Sequence, residues 1–217
     1  MDKLDEEDLT DLLDRTKLSL DIDDERVACA LRIIGEFATH NAEKLDKSTI
    51  ERVWSLLVGS TGILSEDNKD DVEWEDFQDA MSDNRVLGLK VLSRIGMLNE
   101  TYSEKALKIL GMIMEGLDSE STDSDVFTKD EEEVDLTGLQ DLSNDEDSYL
   151  RAALRVTAAK SVLRIAKTNA LSIDLYHRLA WVLLDSSDEV RSSALDAVIK
   201  RVDRSEVSPL MYVLESL

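Results

Sequence analysis

Between Asp147 and Val202, apolar residues recur at helical spacing in three successive segments, and the turns between them are too short to hold anything else. That recurrence restricts the region to antiparallel helices. Over residues 148–167, Leu154, Ala158, Val162 and Ile165 fall at i, i+4, i+8 and i+11, the spacing that lines one face of a 3.6-residue helix. A second helix is predicted over 172–184, with Ile173, Tyr176, Leu179, Ala180 and Leu183 as its apolar face. Asp185-Ser186-Ser187-Asp188 then offers turn and N-cap chemistry for a third helix over 189–202, whose apolar set is Val190, Ala194, Leu195, Val198 and Ile199.

A leucine-rich helix, an Asp-containing turn, then Val190-Arg191 with a small residue three positions on resembles a HEAT repeat, a helical hairpin that stacks into a superhelix. One hairpin cannot bury both of its faces, so such units come in arrays in which each contacts mainly its neighbours. In this reading Asp185 satisfies free amides at the next helix start, and Arg191 reaches back to the same acid or to its counterpart in a neighbouring repeat. Short turns and a lack of strand signals also fit a generic helical bundle. The fold class expected is all-α, with HEAT-type helical hairpins stacked as a solenoid and an acidic disordered insertion.

The rest of the chain divides accordingly. Residues 1–22 form an acidic N-terminal segment with a short helix, Leu9, Leu12, Leu13 and Leu18 supplying its apolar side. Residues 23–117 read as HEAT-like hairpins. Asp23-Asp24 caps a helix over 25–40 carrying Val27, Ala30, Leu31, Ile34 and Phe37. Its partner runs from Lys47 to Gly59 with Ile50, Val53, Trp54, Leu57 and Val58. Residues 60–82 are less regular, and Trp74 and Phe77 are expected to pack back onto the array as anchors of that loop. A second pair spans 83–98 and 103–117, where Gly88, Gly96 and Gly111 each cost about 1 kcal/mol of helix propensity and so point to close helix contacts. Residues 118–147 hold 13 acids against one base, too little apolar surface to offset the entropy of ordering, and are read as disordered. Residues 148–217 complete the array, with a last helix starting at Ser205 and Pro209 in its first turn.

Discounting the acidic stretch exposes an internal repeat. Ala30-Leu31-Arg32-Ile33-Ile34, Gly88-Leu89-Lys90-Val91-Leu92 and Ala158-Ala159-Lys160-Ser161-Val162 share the order small, apolar or small, basic, any, apolar. Their spacing approaches the HEAT period once the two irregular stretches are removed.

The 217 residues carry a net charge of −23, and the two acidic segments hold most of it. A body that is nearly neutral disfavours direct binding along a phosphate backbone, so contact with DNA is expected to be indirect. The longest apolar run, residues 179–184, predicts no membrane span, and the N-terminus has no signal-peptide pattern. One cysteine, Cys29, suits a reducing compartment and reads as a small core residue. Two histidines, His40 and His177, lack metal-ligand spacing, and no phosphate loop or nucleophile motif occurs. No catalysis, cofactor or metal is expected. Lys160, Arg164 and Lys167 share one polar helix face, a candidate basic surface for an acidic peptide or an anionic metabolite, or else a solvated face complementing the helix C-terminus. Thr128 and Ser143 each precede an acid by three residues, a weak signal for an acid-directed kinase.

Several ordered runs carry a more specific likeness. Leu89-Lys90-Val91-Leu92, then Leu150-Arg151-Ala152-Ala153 and Ala158 through Ala166, then Leu175-Tyr176-His177-Arg178-Leu179, Asp185 through Arg191 and Pro209-Leu210-Met211-Tyr212 occur in that order. They resemble the late HEAT repeats of the cohesin-associated precocious-dissociation-of-sisters family of cohesion proteins. The likeness is most specific over residues 148–212, and Ala194 and Asp196 depart from the family's tendency towards an aromatic and a lysine there. Members are far longer, so a fragment or reduced form is expected. The resemblance implies a nuclear, chromatin-associated scaffold that binds cohesin subunits, the kleisin above all, and cohesin regulators. On residues alone, a HEAT-type transport or coat adaptor and an acidic histone-binding module also fit, and the oligomeric state is left open.

Overall fold

A computed structural model describes residues 6–22, 24–59, 61–64, 76–115 and 148–204. The helices are α1 (Glu6–Leu18), α2 (Val27–His40), α3 (Lys47–Val58), the short α4 (Phe77–Ala80), α5 (Asn84–Gly96), α6 (Glu100–Glu115), α7 (Ser148–Ile165), α8 (Ile173–Leu183) and α9 (Asp188–Asp203). No strand occurs among the described residues. The pairs α2/α3, α5/α6 and α7/α8 are successive hairpins. Their first members lie side by side, with α2 on α5, α5 on α7 and α7 on α9, while α6 packs on α8 in a second layer. Trp54 of α3 meets Tyr102 of α6 with ring centroids 5.4 Å apart, which extends that second layer. This is the stacked-hairpin, HEAT-type arrangement expected from the repeat.

Helix starts follow from short polar side chains that accept otherwise unpaired backbone amides. Asp46 accepts from the Thr49 amide, Asp83 from Arg85, Ser172 from Leu175 and Ser187 from Val190. Asp24 differs from expectation. Helix α2 begins at Val27 without a side-chain cap, because the Asp24 carboxylate is taken by the backbone and guanidinium of Arg26. The expected second cap residue, Asp23, lies outside the described residues, as do Trp74, Thr128, Ser143, the 118–147 stretch and Pro209.

One continuous apolar core runs from Leu13 to Val202. Helix α7 sits at its centre, in contact with α4, α5, α6, α8 and α9, and buries Leu150, Ala153, Leu154, Val156, Ala158, Val162 and Ile165 on several sides at once. A helix enclosed in this way needs apolar residues all round rather than a stripe. The three glycines of α5 and α6 mark close approaches. A Cβ at Gly96 would stand 3.1 Å from both Ala106 Cβ and Ile165 Cδ1, and at Gly111 3.2 Å from Leu175 Cδ2.

Some expected core positions point outward. Leu18 is exposed because Leu13, Thr16 and Leu20 form the inner side of that segment. Cys29 is exposed, since α2 turns Val27, Ala30 and Leu31 inward instead. In α8 the buried residues are Leu175, Leu179 and Val182, which leaves Ile173 71% exposed. Leu195 and Ile199 of α9 are likewise exposed, together with Trp181 of α8 and Leu184 just after it. These last two helices end the described array, so their far sides have no described neighbour to pack on.

Candidate functional site

The layer α2, α5, α7, α9 displays one charged position per helix at the same place in each repeat. Arg32, Lys90 and Lys160 occupy it in α2, α5 and α7, and Asp196 does so in α9 within Ala194-Leu195-Asp196-Ala197-Val198. One helical turn later come Glu36, Arg94, Arg164 and Lys200. Residues four apart lie above one another on a helix, so side-by-side packing converts this repeat into two parallel files across the layer. The acids stand at the two ends, Glu36 beside Arg94 at 2.8 Å and Asp196 beside Lys200 at 2.5 Å. The interior is cationic.

Its side chains are held in place. The Arg164 guanidinium donates to Ser93 Oγ at 3.1 Å and to the Lys90 carbonyl at 3.3 Å, which fixes it across the α5/α7 seam. Arg94 lies over Gly35, where a Cβ would come within 2.6 Å of its Nη1. That missing Cβ lets Arg94 cross α2 and reach Glu36. Between α2 and α5, Arg32, Glu36, Lys90 and Arg94 line a cleft of about 300 Å³. A second cleft of about 330 Å³ lies between α1 and α2, walled by Leu9, Leu12, Ile33 and Phe37, and again by Arg32 and Glu36.

Electrostatics set this row apart from the rest of an acidic chain. Lys90 is half-buried, and its ammonium is pushed below its ordinary pKa by burial first and then by Lys160, Arg32, Arg164 and Arg94. Lys160 is lowered by burial and by Lys200, with Asp196 acting the other way. Arg164 is lowered by burial, Arg94 and Arg201, with Glu36 opposing. Half-buried cations facing other cations favour any anion that settles among them.

Of the residues singled out from sequence, Lys160 and Arg164 therefore belong to a larger surface, and Lys167 stands exposed in the turn after α7. Arg32, Lys90, Arg94 and Lys200 complete it, and the sequence singles none of them out as surface residues. The basic position of the repeated five-residue pattern carried the signal, but it served there to mark the period and not to define a surface. Asp185 and Arg191 lie elsewhere, at the α8–α9 turn. Asp185 is nearly buried and accepts the Ser187 amide at 2.9 Å, while Arg155 of α7 approaches it at 3.1 Å. Arg191 reaches the backbone oxygens of Asp185 and Ser186, at 2.5 and 2.9 Å, and pairs with Asp188. The carboxylate of Asp185 is thus held by Arg155 in the neighbouring helix, and Ser187 takes the capping role.

Among the described residues no group of three or more His, Cys, Asp and Glu is placed to hold a metal ion, and no helix is long and apolar enough to cross a membrane. A family model described as sister chromatid cohesion protein PDS5 matches residues 1–216. Neither a search of curated proteins nor one of solved structures yields a match.

Proposed function

Because the chain belongs to the PDS5 family of sister chromatid cohesion proteins, we propose that it serves cohesion as a non-enzymatic scaffold whose stacked helices bind protein partners. The partners are cohesin subunits, the kleisin foremost, together with cohesin regulators, and the setting is chromatin in the nucleus. The observation that carries the protein-binding role is the cationic file across α2, α5, α7 and α9 in a chain of net charge −23. Lys160 and Arg164, with Lys167 beyond them, are its partner-facing part. Asp185 and Arg191 stabilise the repeat from the α8–α9 turn. A row of cations with acids at both ends recognises a local run of carboxylates better than a long polyanion, so contact with DNA is indirect.

The test is capture from nuclear extract on the purified chain, read by mass spectrometry, beside a Lys160→Glu/Arg164→Glu variant of matched thermal stability. Cohesin subunits should be recovered by the unaltered chain and depleted on the variant. Recovery of coat or transport components instead, or of basic proteins alone, would overturn the reading.

A further inference from the structure

Resting on that reading, we infer that the bound partner segment is an extended peptide of two parts: an apolar anchor seated between α1 and α2, then carboxylates spaced along α2, α5 and α7. The two clefts that carry this inference flank α2. Arg32 and Glu36 line both, so the apolar cleft lies directly beside the start of the cationic file. Leu9, Leu12, Ile33 and Phe37 leave room there for one large or two small apolar side chains.

Spacing sets the pattern of the acidic part. Packed helices stand about 8–10 Å apart, and a chain in the extended polyproline II conformation advances about 3.1 Å per residue with three residues per turn, so one helix step corresponds to about three residues and every third side chain faces the same way. Carboxylates at every third position would meet Arg32, then Lys90 and Arg94, then Lys160 and Arg164. Arg94 and Arg164 are already fixed by Glu36 and by Ser93, and half-burial restrains the stem of Lys90. Binding therefore orders few side chains, and each carboxylate relieves repulsion among cations that now face one another.

A peptide fits better than the other polyanions. A nucleic-acid strand would run its charges past Glu36 and Asp196 at the ends of the file, and its backbone has no group for the apolar cleft. A compact phosphate cluster would use the α5 and α7 cations alone. The anchor distinguishes the three.

Fluorescence anisotropy on the full chain tests this with a labelled synthetic peptide that begins with two leucines and continues with glutamate at every third residue among serine and glycine. Replacing the leucines by serine, or the glutamates by glutamine, should each weaken binding roughly tenfold or more. Lys90→Gln/Lys160→Gln in the chain should do the same as the glutamine peptide, and Ile33→Ser the same as the serine peptide, with thermal melts confirming that both variants fold. Inorganic polyphosphate and single-stranded DNA are the competitors. If either binds as tightly as the peptide and loses affinity in Lys90→Gln/Lys160→Gln but not in Ile33→Ser, the file is a phosphate site and the proposal is overturned. Absence of peptide binding at low salt overturns it as well. The scaffold reading is separable: if peptides fail while the unaltered chain still captures cohesin subunits, only the two-part motif falls. If cohesin capture itself fails, the scaffold reading falls whatever the peptides do.

Discussion

Lys90 shows what the cationic file costs the fold. Burial and four neighbouring cations, Lys160, Arg32, Arg164 and Arg94, all push it towards its neutral form. With a folded pKa below the ordinary 10.5, the native state holds fewer protons than the unfolded chain between those two values, so stability climbs as pH rises through that window. Lys90→Met removes the penalty. Because the group is only half-buried and water screens it, the gain at neutral pH should be at most about 1 kcal/mol, seen as a rise in Tm of roughly 2–4 °C. Melts of both proteins at pH 7 and pH 10 check this: the unaltered chain should close part of the gap at the higher pH, and an equal or lower Tm for the variant at pH 7 would refute it. Asp46 has the opposite sign. Hydrogen bonds from Thr49 and Ser48, and then Lys17, hold its carboxyl well below the ordinary 3.8, so its contribution is complete above that value and fades as pH falls beneath it. Asp46→Ala should cost about 1 kcal/mol at pH 7, and the difference from the unaltered chain should shrink in melts taken towards pH 2. At this scale the sequence was informative where a partner is local. Lys160 and Arg164 are four apart, but the Arg155–Asp185 pair spans 30 residues and exists only because α7 packs against the α8–α9 turn.

Between elements, the distance of closest approach decides which residues the helices tolerate. Gly35 and Gly96 make a contrasting pair. At Gly96 the atoms in the way are Ala106 Cβ and Ile165 Cδ1, the first rigidly attached to α6 and the second in the packed core, so a methyl group there must push α5 away from α6 and α7. At Gly35 the obstacle is the far end of Arg94, which can swing aside at the small cost of its pairing with the exposed Glu36. Gly96→Ala should therefore destabilise by roughly 1–3 kcal/mol, despite alanine's better helix propensity. Gly35→Ala should be neutral or slightly stabilising, by at most about 1 kcal/mol. Urea denaturation of the two variants decides the matter, and similar midpoints would show that the approach at Gly96 is not limiting. Its helix-propensity cost made Gly96 legible as a contact point, though Gly35 was not, and the repeated apolar pattern placed most helices within a few residues. It could not show that α7 is enclosed on several sides, because the periodicity of Leu154, Ala158, Val162 and Ile165 describes one face, while Ala152, Val156 and Leu163 are buried on another. Nor could it show that Ile173, Leu195 and Ile199 lack a described partner, since an apolar helical face reads the same whether or not a neighbour covers it.

For the molecule as a whole, the apolar core is unbroken across the gap in described chain between Glu115 and Ser148. Helix α7 lies against both α5 and α6, with Leu150, Leu154 and Val162 among its buried residues and Ile165 against Gly96. Although the described residues up to Glu115 and those from Ser148 are separated in sequence by the acidic stretch, their buried side chains form one core and do not form two. In a solenoid, stability resides in the seams between neighbouring hairpins, and the α5/α6–α7 seam is the most extensive one here. Cutting the covalent chain within residues 118–147 leaves every described contact across that seam intact. A chain carrying a specific protease site inserted after Asp130 should therefore, once cleaved, elute as a single species in size-exclusion chromatography and keep the same α-helical circular dichroism. Its melt should become concentration-dependent, because the two pieces must now find each other in solution. Ile165→Asp puts an unpaired carboxylate into the seam beside Gly96 and should release the pieces after cleavage. Separation of the cleaved but otherwise unaltered chain at micromolar concentration would show instead that the two sets of hairpins are independent bodies. The cationic file would then depend on the acidic stretch to hold its α2–α5 part beside its α7–α9 part.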